Sequence, residues 1–302
     1  MDWKAIGFGI ALAIAAALPA AASPCDAAIA QAREAVEAAD LDRFDGARQG
    51  LDSCEASVRR YWSDELARGL YREAVNRIRK QGQSLPEQRA LMERALGFGD
   101  PYEVLALQCR IDHLEKRFAE AQRSCELALT RIQDTERTPR PPPPEAIERI
   151  FKLAEESRLL AQHYQSSPVT RSGEPSGISA PLVRGFVVKK VAIPIQFQFG
   201  KAEFTEDGTR AAADLVTMLR QQQPPHIRLI GHTDPAGTDA VNDALSLARA
   251  ATVQRFIEAQ GLKLSIEVEG HGKREPYQPA SPDELTADQL AQLSRRVELV
   301  RQ

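Results

Sequence analysis

The sequence lacks an excess of charge of either sign, and it is poor in aromatic residues. Its 39 Lys and Arg residues against 42 Asp and Glu residues leave a formal net charge of −3, and aromatic residues make up 6% of the chain. Proteins that bind nucleic acid present a clustered basic face, and proteins that bind an anionic membrane surface carry polybasic segments. The balanced charge argues against both functions, and we predict no nucleic-acid partner.

Motifs for catalysis and for metal binding are also missing. All four cysteines precede residue 130, and none has the paired spacing of a zinc site. The sequence contains no nucleophile elbow, no HExxH motif and no Cys/His pair placed for nucleophilic chemistry. We therefore predict that the protein is not an enzyme, with no catalytic residues, no cofactor and no metal site.

The first residues have the pattern of a signal peptide. An apolar core from Ile6 to Leu18 precedes Ala20-Ala21-Ala22, the small-residue pattern that a signal peptidase accepts. This core is shorter than the roughly 20 residues that a bilayer requires. We predict a signal peptide at residues 1–22, with an uncleaved anchor as the alternative. Lipidation of Cys25 is disfavoured because Pro24 stands where a lipobox has a small residue.

The next region is predicted to be helical. Alanine, leucine, arginine and glutamate dominate residues 25–164, and no strand-like alternation occurs there. Residues 117–129 resemble the second helix of a tetratricopeptide repeat, with Phe118 at the turn. In that resemblance Ala121 and Ala128 are the small residues at which two helices touch. It implies an all-α domain of helical hairpins of the tetratricopeptide type.

Two disulfides are expected, because an exported protein with an even number of cysteines usually pairs them. The tetratricopeptide resemblance places Cys109 on the first helix of a pair, opposite Cys125, and so implies a Cys109–Cys125 bridge. The same logic pairs Cys25, where one helix begins, with Cys54 near the end of its partner. Four small thiols packed in a helical core are the alternative.

The composition changes twice after the helical region. Residues 165–181 are rich in Ser, Pro and Gly, which predicts a flexible linker. Strand and helix patterns then alternate over residues 182–302. The predicted strands are 186–188, 193–199, 226–231, 264–269 and 297–300, and the predicted helices are 205–220, 239–260 and 283–292. The fold class is therefore α+β and multidomain, with helical hairpins followed by a βαβαβ sandwich of one sheet with helices.

A long motif with irregular spacing occurs in this second half. It reads Gly231-His232-Thr233-Asp234-Pro235-Ala236-Gly237, followed by Asn242, Leu245-Ser246 and Arg249-Ala250. These residues match the signature GHTDxxGxxxxNxxLSxxRA at every fixed position. Residues 185–302 therefore resemble the OmpA C-terminal (OmpA/MotB-like) domain. The resemblance implies a peptidoglycan-binding domain without catalytic activity at residues 182–302.

The resemblance also implies which residues bind the ligand. The family holds the diaminopimelate of the peptidoglycan stem peptide, whose free end carries one ammonium and one carboxylate. Asp234 is expected to bind the ammonium and Arg249 the carboxylate. The remaining predicted ligand-binding residues are Thr233, through its hydroxyl or N–H, Gly237, which allows a tight turn, Asn242 and Ser246.

Several alternatives stay open for these residues. Asp234 and Arg249 would have only a structural role if they paired with each other. Asn242 and Ser246, which share the helix face of Arg249, are equally suited to binding the ligand and to fixing the loop. His232 is expected to be a core residue and not a ligand.

The sequence departs from the family pattern at two positions. Gly200 stands where the first strand usually ends in an acidic or polar group, so no side chain is available there for the ligand. Ser294 precedes the run Arg295-Arg296-Val297-Glu298, where the family usually has Asn. The first departure bears on affinity, and the second on a local cap or turn.

The function implied by these patterns is binding to peptidoglycan that tethers an exported helical domain to the cell wall. The alternative is a periplasmic scaffold whose helical repeats bind a protein partner, with the wall domain only localising it. Both functions predict a periplasmic, wall-associated protein, and attachment to the outer membrane stays open.

Overall fold

A computed structural model of the chain describes residues 23–167, 179 and 182–301. The predicted signal peptide at 1–22 and most of the predicted linker at 165–181 lie outside these residues and stay predictions. Within the described residues, no helix combines the length and the hydropathy that a membrane span needs.

The first half of the described chain is helical, as predicted. Its helices are α1 (Pro24–Ala38), α2 (Phe44–Gly50), α3 (Ala56–Gln81), α4 (Arg89–Phe98), α5 (Tyr102–Leu114), α6 (Phe118–Gln133) and α7 (Pro144–Leu160). By its internal contacts the chain divides into two compact units, with the boundary between Trp62 and Ser63. The predicted division between a helical domain and a wall-binding domain stays a prediction.

The first unit contains α1 and α2 and one disulfide. Helix α1 begins with a capping box, in which the Ser23 hydroxyl accepts from the Asp26 N–H and the Asp26 carboxylate accepts from the Ser23 N–H. A disulfide joins Cys25 to Cys54, which confirms the predicted pairing. Closing a loop of this size contributes about 3 kcal/mol to the free energy of unfolding in the chain-entropy model. This is a large part of the total stability that so small a unit can have.

The second disulfide joins α5 and α6. It links Cys109 to Cys125, as predicted, and both residues are fully buried. Ala121 and Ala128, the predicted contact residues of α6, have no exposed surface. Small side chains allow two helices to approach closely, which is what a bridge between them requires. The relation to tetratricopeptide repeats stays a prediction.

The second half of the chain has the predicted βαβαβ order. Its strands are β1 (Leu182–Val183), β2 (Phe186–Val187), β3 (Lys190–Ile193), β4 (His226–Gly231), β5 (Ser265–Gly270) and β6 (Val297–Arg301); its helices are α8 (Glu206–Gln222), α9 (Asp239–Ala259) and α10 (Ala287–Ser294). Strands β1 and β2 form a small hairpin, and the other four form a sheet in the order β3-β6-β4-β5. Strands β4 and β5 are parallel, and β6 is antiparallel to both of its neighbours.

The strand predicted at 193–199 is wrong in its position. Strand β3 ends at Ile193 because the next residue, Pro194, has no N–H to donate to the sheet. Phe197, which the alternation had placed in a strand, instead forms an isolated bridge with Phe204. The chain therefore leaves the sheet earlier than predicted and folds into a turn beside α9.

Helix α9 packs on β4 and β5 and fixes the position of the motif residues that it carries. Thr238 caps its first turn by accepting from the Val241 N–H. At the end of β4, a Cβ on Gly231 would lie 2.0 Å from the Ser246 carbonyl oxygen. Only glycine allows this approach, which brings Ser246 against the strand end.

Two adjacent glutamates of α7, Glu155 and Glu156, contact β3 and the segment between β5 and α10. Glu155 accepts from the Ala192 N–H at 2.6 Å and from the Tyr277 hydroxyl at 2.8 Å. Glu156, which is 1% exposed, accepts from the Ala280 N–H at 2.7 Å. Burial raises the pKa of both carboxyl groups, that of Glu156 to about 7. The apolar core is continuous across this contact and includes side chains from α5 to α9 and from the sheet.

The raised pKa of Glu156 predicts a pH dependence of stability. Because the folded protein holds this proton more tightly, the contribution is complete below the ordinary value of 4.5 and is lost as the pH rises through about 7. Glu156→Gln keeps a neutral acceptor for Ala280 and removes the charge. At about pH 8 it should raise the free energy of unfolding by on the order of 2–3 kcal/mol, and below pH 4.5 it should have little effect.

Urea unfolding at the two pH values measures this difference. Glu145→Gln, in the exposed first turn of the same helix, is the matched control and should leave the pH profile unchanged. Equal pH profiles for wild type and Glu156→Gln would contradict the prediction.

Candidate functional site

The motif residues lie in the loop between β4 and α9. Asp234 closes an Asx turn there, in which its Oδ1 accepts from the Ala236 N–H at 3.0 Å. Gly237 has a φ of +86°, a backbone conformation that favours glycine and confirms the predicted tight turn. The two features fold the Asp234 carboxylate back toward the start of α9.

Two buried side chains of α9 hold the loops at this end of the sheet, Asn242 the loop between β4 and α9 and Ser246 the segment after β5. Asn242 donates from Nδ2 to the Ala236 carbonyl at 2.8 Å. The Ser246 hydroxyl donates to the Asp243 carbonyl at 3.0 Å and accepts from the Gly272 N–H at 2.9 Å. The sequence left two roles possible for these residues, binding the ligand or fixing the loop. The hydrogen bonds observed here are to protein backbone, as the second role requires.

The N–H and the hydroxyl of Thr233 were both predicted to be able to bind the ligand, and one of them already has a partner in the protein. Its N–H already donates to the Gly272 carbonyl at 2.9 Å. Its hydroxyl is buried and makes no hydrogen bond to the described residues. Of these two groups, the hydroxyl is the one without a partner among the described residues.

Arg249 is a buried cation, and no carboxylate of the described residues forms an ion pair with it. It is 5% exposed, its Nε donates to the Lys201 carbonyl at 3.1 Å, and its guanidinium lies 5.2 Å from the centre of the Phe197 ring. Burial lowers its pKa, repulsion from Arg295 lowers it further, and Asp234 partly opposes both. A buried guanidinium in this state favours an anionic ligand.

Asp234 pairs with Arg295 and not with Arg249. The distance from Arg295 Nη1 to Asp234 Oδ2 is 2.7 Å. The alternative in which Asp234 and Arg249 hold each other is therefore not the arrangement observed. Arg295 has no predicted role of its own, although it belongs to the Arg-Arg-Val-Glu run that carries part of the resemblance.

A cavity of about 360 Å³ opens beside the two arginines. Arg249, Arg295, Phe197 and Gln292 line one part of it, and residues 158–162 at the end of α7 line another. The cavity therefore has three arginines on its wall, Arg158, Arg249 and Arg295, together with an aromatic face and neutral amides. The Asp234 carboxylate lies at Arg295 and places a negative charge next to this wall.

Residues 196–288 match the model of the OmpA family. This segment carries all the motif residues described above. Residues 196–288 form an OmpA-family domain.

Curated relatives of the chain share this part of it. Outer membrane protein P5 of Haemophilus influenzae is 30% identical over 92 residues, which are 30% of this chain and 26% of that protein. Photosystem I P700 chlorophyll a apoprotein A2 of Gloeobacter violaceus is 28% identical over 149 residues, which are 49% of this chain and 16% of that protein. The chain thus spans less than a third of the length of either relative.

A solved structure also resembles the chain. The crystal structure of the peptidoglycan-associated lipoprotein from Burkholderia pseudomallei has 27% sequence identity and a TM-score of 0.31. The match covers 36% of this chain and 88% of that one.

The two departures of this OmpA domain from the family pattern have structural consequences. Gly200 lies in a turn closed by the Lys201 N–H, which donates to the Gln198 carbonyl at 3.0 Å. That turn presents the Lys201 carbonyl to Arg249, so a backbone group contacts the arginine where no side chain is available. Ser294 is buried, donates to the Leu290 carbonyl at 2.9 Å and accepts from the Tyr277 N–H at 3.4 Å.

His232 of the OmpA domain has no exposed surface, in agreement with its prediction as a core residue. Its Nε2 lies 3.2 Å from Glu298 Oε2, and burial lowers its pKa. It therefore lies beneath the loop and not at the cavity.

The absence of an ion pair at Arg249 predicts its effect on stability. Arg249→Met should change the free energy of unfolding by less than about 1 kcal/mol, because no buried carboxylate loses a partner. Arg296→Met is the contrasting variant, since Arg296 is equally buried but lies 2.8 Å from Glu298. That change should lower stability by about 3–5 kcal/mol. Urea unfolding measures both, and equal losses would make Arg249 a structural residue.

Proposed function

We propose that the OmpA domain binds peptidoglycan through the diaminopimelate of the stem peptide. The buried guanidinium of Arg249 is the observation that carries this proposal, because among the described residues no anion pairs with it. A carboxylate entering the cavity would supply that anion and recover part of the electrostatic cost of burying the charge.

The charges beside the cavity match a zwitterionic ligand end. Diaminopimelate has a carboxylate and an ammonium on one carbon, a short distance apart. In the proposed complex the carboxylate binds Arg249, with Arg295 close enough to contribute, and the ammonium binds Asp234. Because Asp234 lies 2.7 Å from Arg295 in the free protein, the incoming ammonium shares or replaces that contact.

Other residues shape the site without carrying charge. Phe197 supports the Arg249 guanidinium from one face and keeps it pointed at the cavity. Asn242 and Ser246 act as positioning residues: Asn242 bonds to the loop that carries Asp234, and Ser246 bonds to Gly272, whose carbonyl accepts from the Thr233 N–H. The buried Thr233 hydroxyl is the neutral group closest in sequence to Asp234 and is proposed as a further ligand contact.

The expected affinity follows from these contacts. A hydrogen bond to a charged group contributes about 1.5–3 kcal/mol. Two such contacts with a few neutral hydrogen bonds suggest a free energy of binding near about −8 kcal/mol, which corresponds to a micromolar Kd.

The proposed consequence is a tether between the wall and the helical region. Helices α5, α6 and α7 share one apolar core with the OmpA domain. The end of α7 also lines the cavity beside Arg249. A wall-bound OmpA domain would therefore hold these helices with it, on the periplasmic side of the envelope that the signal peptide predicts.

Sedimentation of the full chain with purified peptidoglycan tests the site. Asp234→Asn and Arg249→Met each remove one charged contact, so each should weaken binding roughly 10–150-fold. The matched control is Arg255→Met, which removes an exposed arginine from the same helix and should leave binding unchanged. Retention of binding by both site variants would contradict the assignment.

A second comparison tests the ligand itself. Peptidoglycan with lysine in place of diaminopimelate keeps the ammonium and lacks the carboxylate that Arg249 is proposed to bind. Wild type should bind it more weakly by a similar factor, and Arg249→Met should no longer distinguish the two polymers. Equal binding of both polymers by wild type would leave wall binding in place and refute the role of diaminopimelate.

A further inference from the structure

Two histidines and a glutamate come together beneath the Asp234 loop. His232 follows β4 and His271 follows β5, and the last residues of these strands, Gly231 and Gly270, are partners in the parallel register. The two imidazole rings are therefore neighbours, with centres 5.6 Å apart. One ligand atom from each of His232, His271 and Glu275 lies within 4.8 Å of the other two.

His271 lies between two carboxylates, and this arrangement calls for an additional positive charge. Its Nε2 lies 2.7 Å from Glu269 Oε2, and its Nδ1 lies 3.0 Å from Glu275 Oε1. A neutral imidazole has one N–H and can donate to only one of these carboxylates. The second contact requires another positive charge, which is either a proton or a metal ion bound between Nδ1 and Glu275.

His232 also has ring nitrogens that could bind a metal. It has no exposed surface, and neither ring nitrogen makes a well-aligned hydrogen bond to the described residues. Its Nε2 lies 3.2 Å from Glu298 Oε2. If that nitrogen carries the proton and faces Glu298, Nδ1 is the atom left for a metal.

Both histidines thus have a carboxylate at Nε2, Glu269 for His271 and Glu298 for His232. Histidines that bind metals usually donate their second N–H to such a carboxylate, which fixes the tautomer and the ring orientation. These carboxylates are themselves held by cations: Arg228 lies 3.0 Å from Glu269, and Arg296 lies 2.8 Å from Glu298.

We propose that His232, His271 and Glu275 bind a divalent transition metal of the zinc class, with His232 and His271 ligating through Nδ1. Two histidines and one carboxylate with a fourth, open position form a ligand set that zinc accepts. Ligand atoms about 2.1 Å from a tetrahedral metal are about 3.4 Å apart, close to the separation of His271 Nδ1 and Glu275 Oε1. Glu275, whose side chain is 54% exposed, has the freedom to move and close the site.

The sequence predicted no metal site, because the two histidines are far apart in the chain and match no ligand spacing. The proposed metal is separate from the proposed wall contact but adjoins it. Thr233 follows His232 and donates its N–H to Gly272, which follows His271. A metal there would fasten together the two strand ends that support the Asp234 loop.

Zinc titration of the tag-free full chain, stripped with EDTA and dialysed, tests the proposal by calorimetry. One Zn²⁺ per chain is expected, and Co²⁺ in its place should give the absorption of a tetrahedral site without a thiolate band, since all four cysteines form disulfides. Absence of stoichiometric uptake of either metal would overturn the proposal.

Variants at exposed or half-exposed positions locate the metal without disturbing the core. Glu269→Gln, which alters only the partner of a ligand, should weaken zinc binding about 10–100-fold, and His271→Ala and Glu275→Gln should weaken it at least as much. The control is His226→Ala, whose ring lies beside Glu267 on the same sheet but outside the cluster. Unchanged affinity in His271→Ala, or an equal loss in His226→Ala, would refute the site.

Discussion

The parallel pairing of β4 with β5 is the constraint on which the rest of the OmpA domain depends. Parallel strands leave the sheet at the same edge, so the residues that follow each strand must meet there. In this protein those residues are His232-Thr233 and His271-Gly272, and the Thr233 N–H donates to the Gly272 carbonyl. This hydrogen bond fixes the residue that precedes Asp234. The Ser246 hydroxyl of α9 accepts from the Gly272 N–H and so contacts the same strand ends.

Helix α9 both supports the loops at the strand ends and carries the positive charge of Arg249. Asn242, Ser246 and Arg249 follow one another at helical spacing, so all three lie on one face. The first two bond to the backbone of the neighbouring loops, and the third contacts the Lys201 carbonyl and the Phe197 ring and has no ion pair among the described residues. The fold therefore carries an unpaired buried cation, whose cost is offset by a core that extends from α5 to β6.

Local patterns predicted much of this architecture. The helices at 205–220 and 239–260 and the turn at Gly237 follow from residue types at short range, and the two disulfide pairings follow from the resemblance to helical hairpins. What they did not predict depends on contacts between distant residues. Arg295 lies 61 positions from Asp234 and meets it only because β6 lies beside β4. Glu155 and Glu156 have the composition of a solvated helix face, and only the packing of α7 on the sheet buries them.

The shared core also limits the order in which the chain can fold during synthesis. In a chain that emerges from its N-terminus, Cys25 and Cys54 appear early, and the first compact unit ends at Trp62. The second unit has no such independence, since β3 must wait for β6 and the Arg301 N–H donates to the Lys189 carbonyl. Until residue 301 emerges, the helices from α5 to α7 lack part of their core. In this interval they expose apolar surface, so the helical region becomes complete only when the C-terminal strand has joined the sheet.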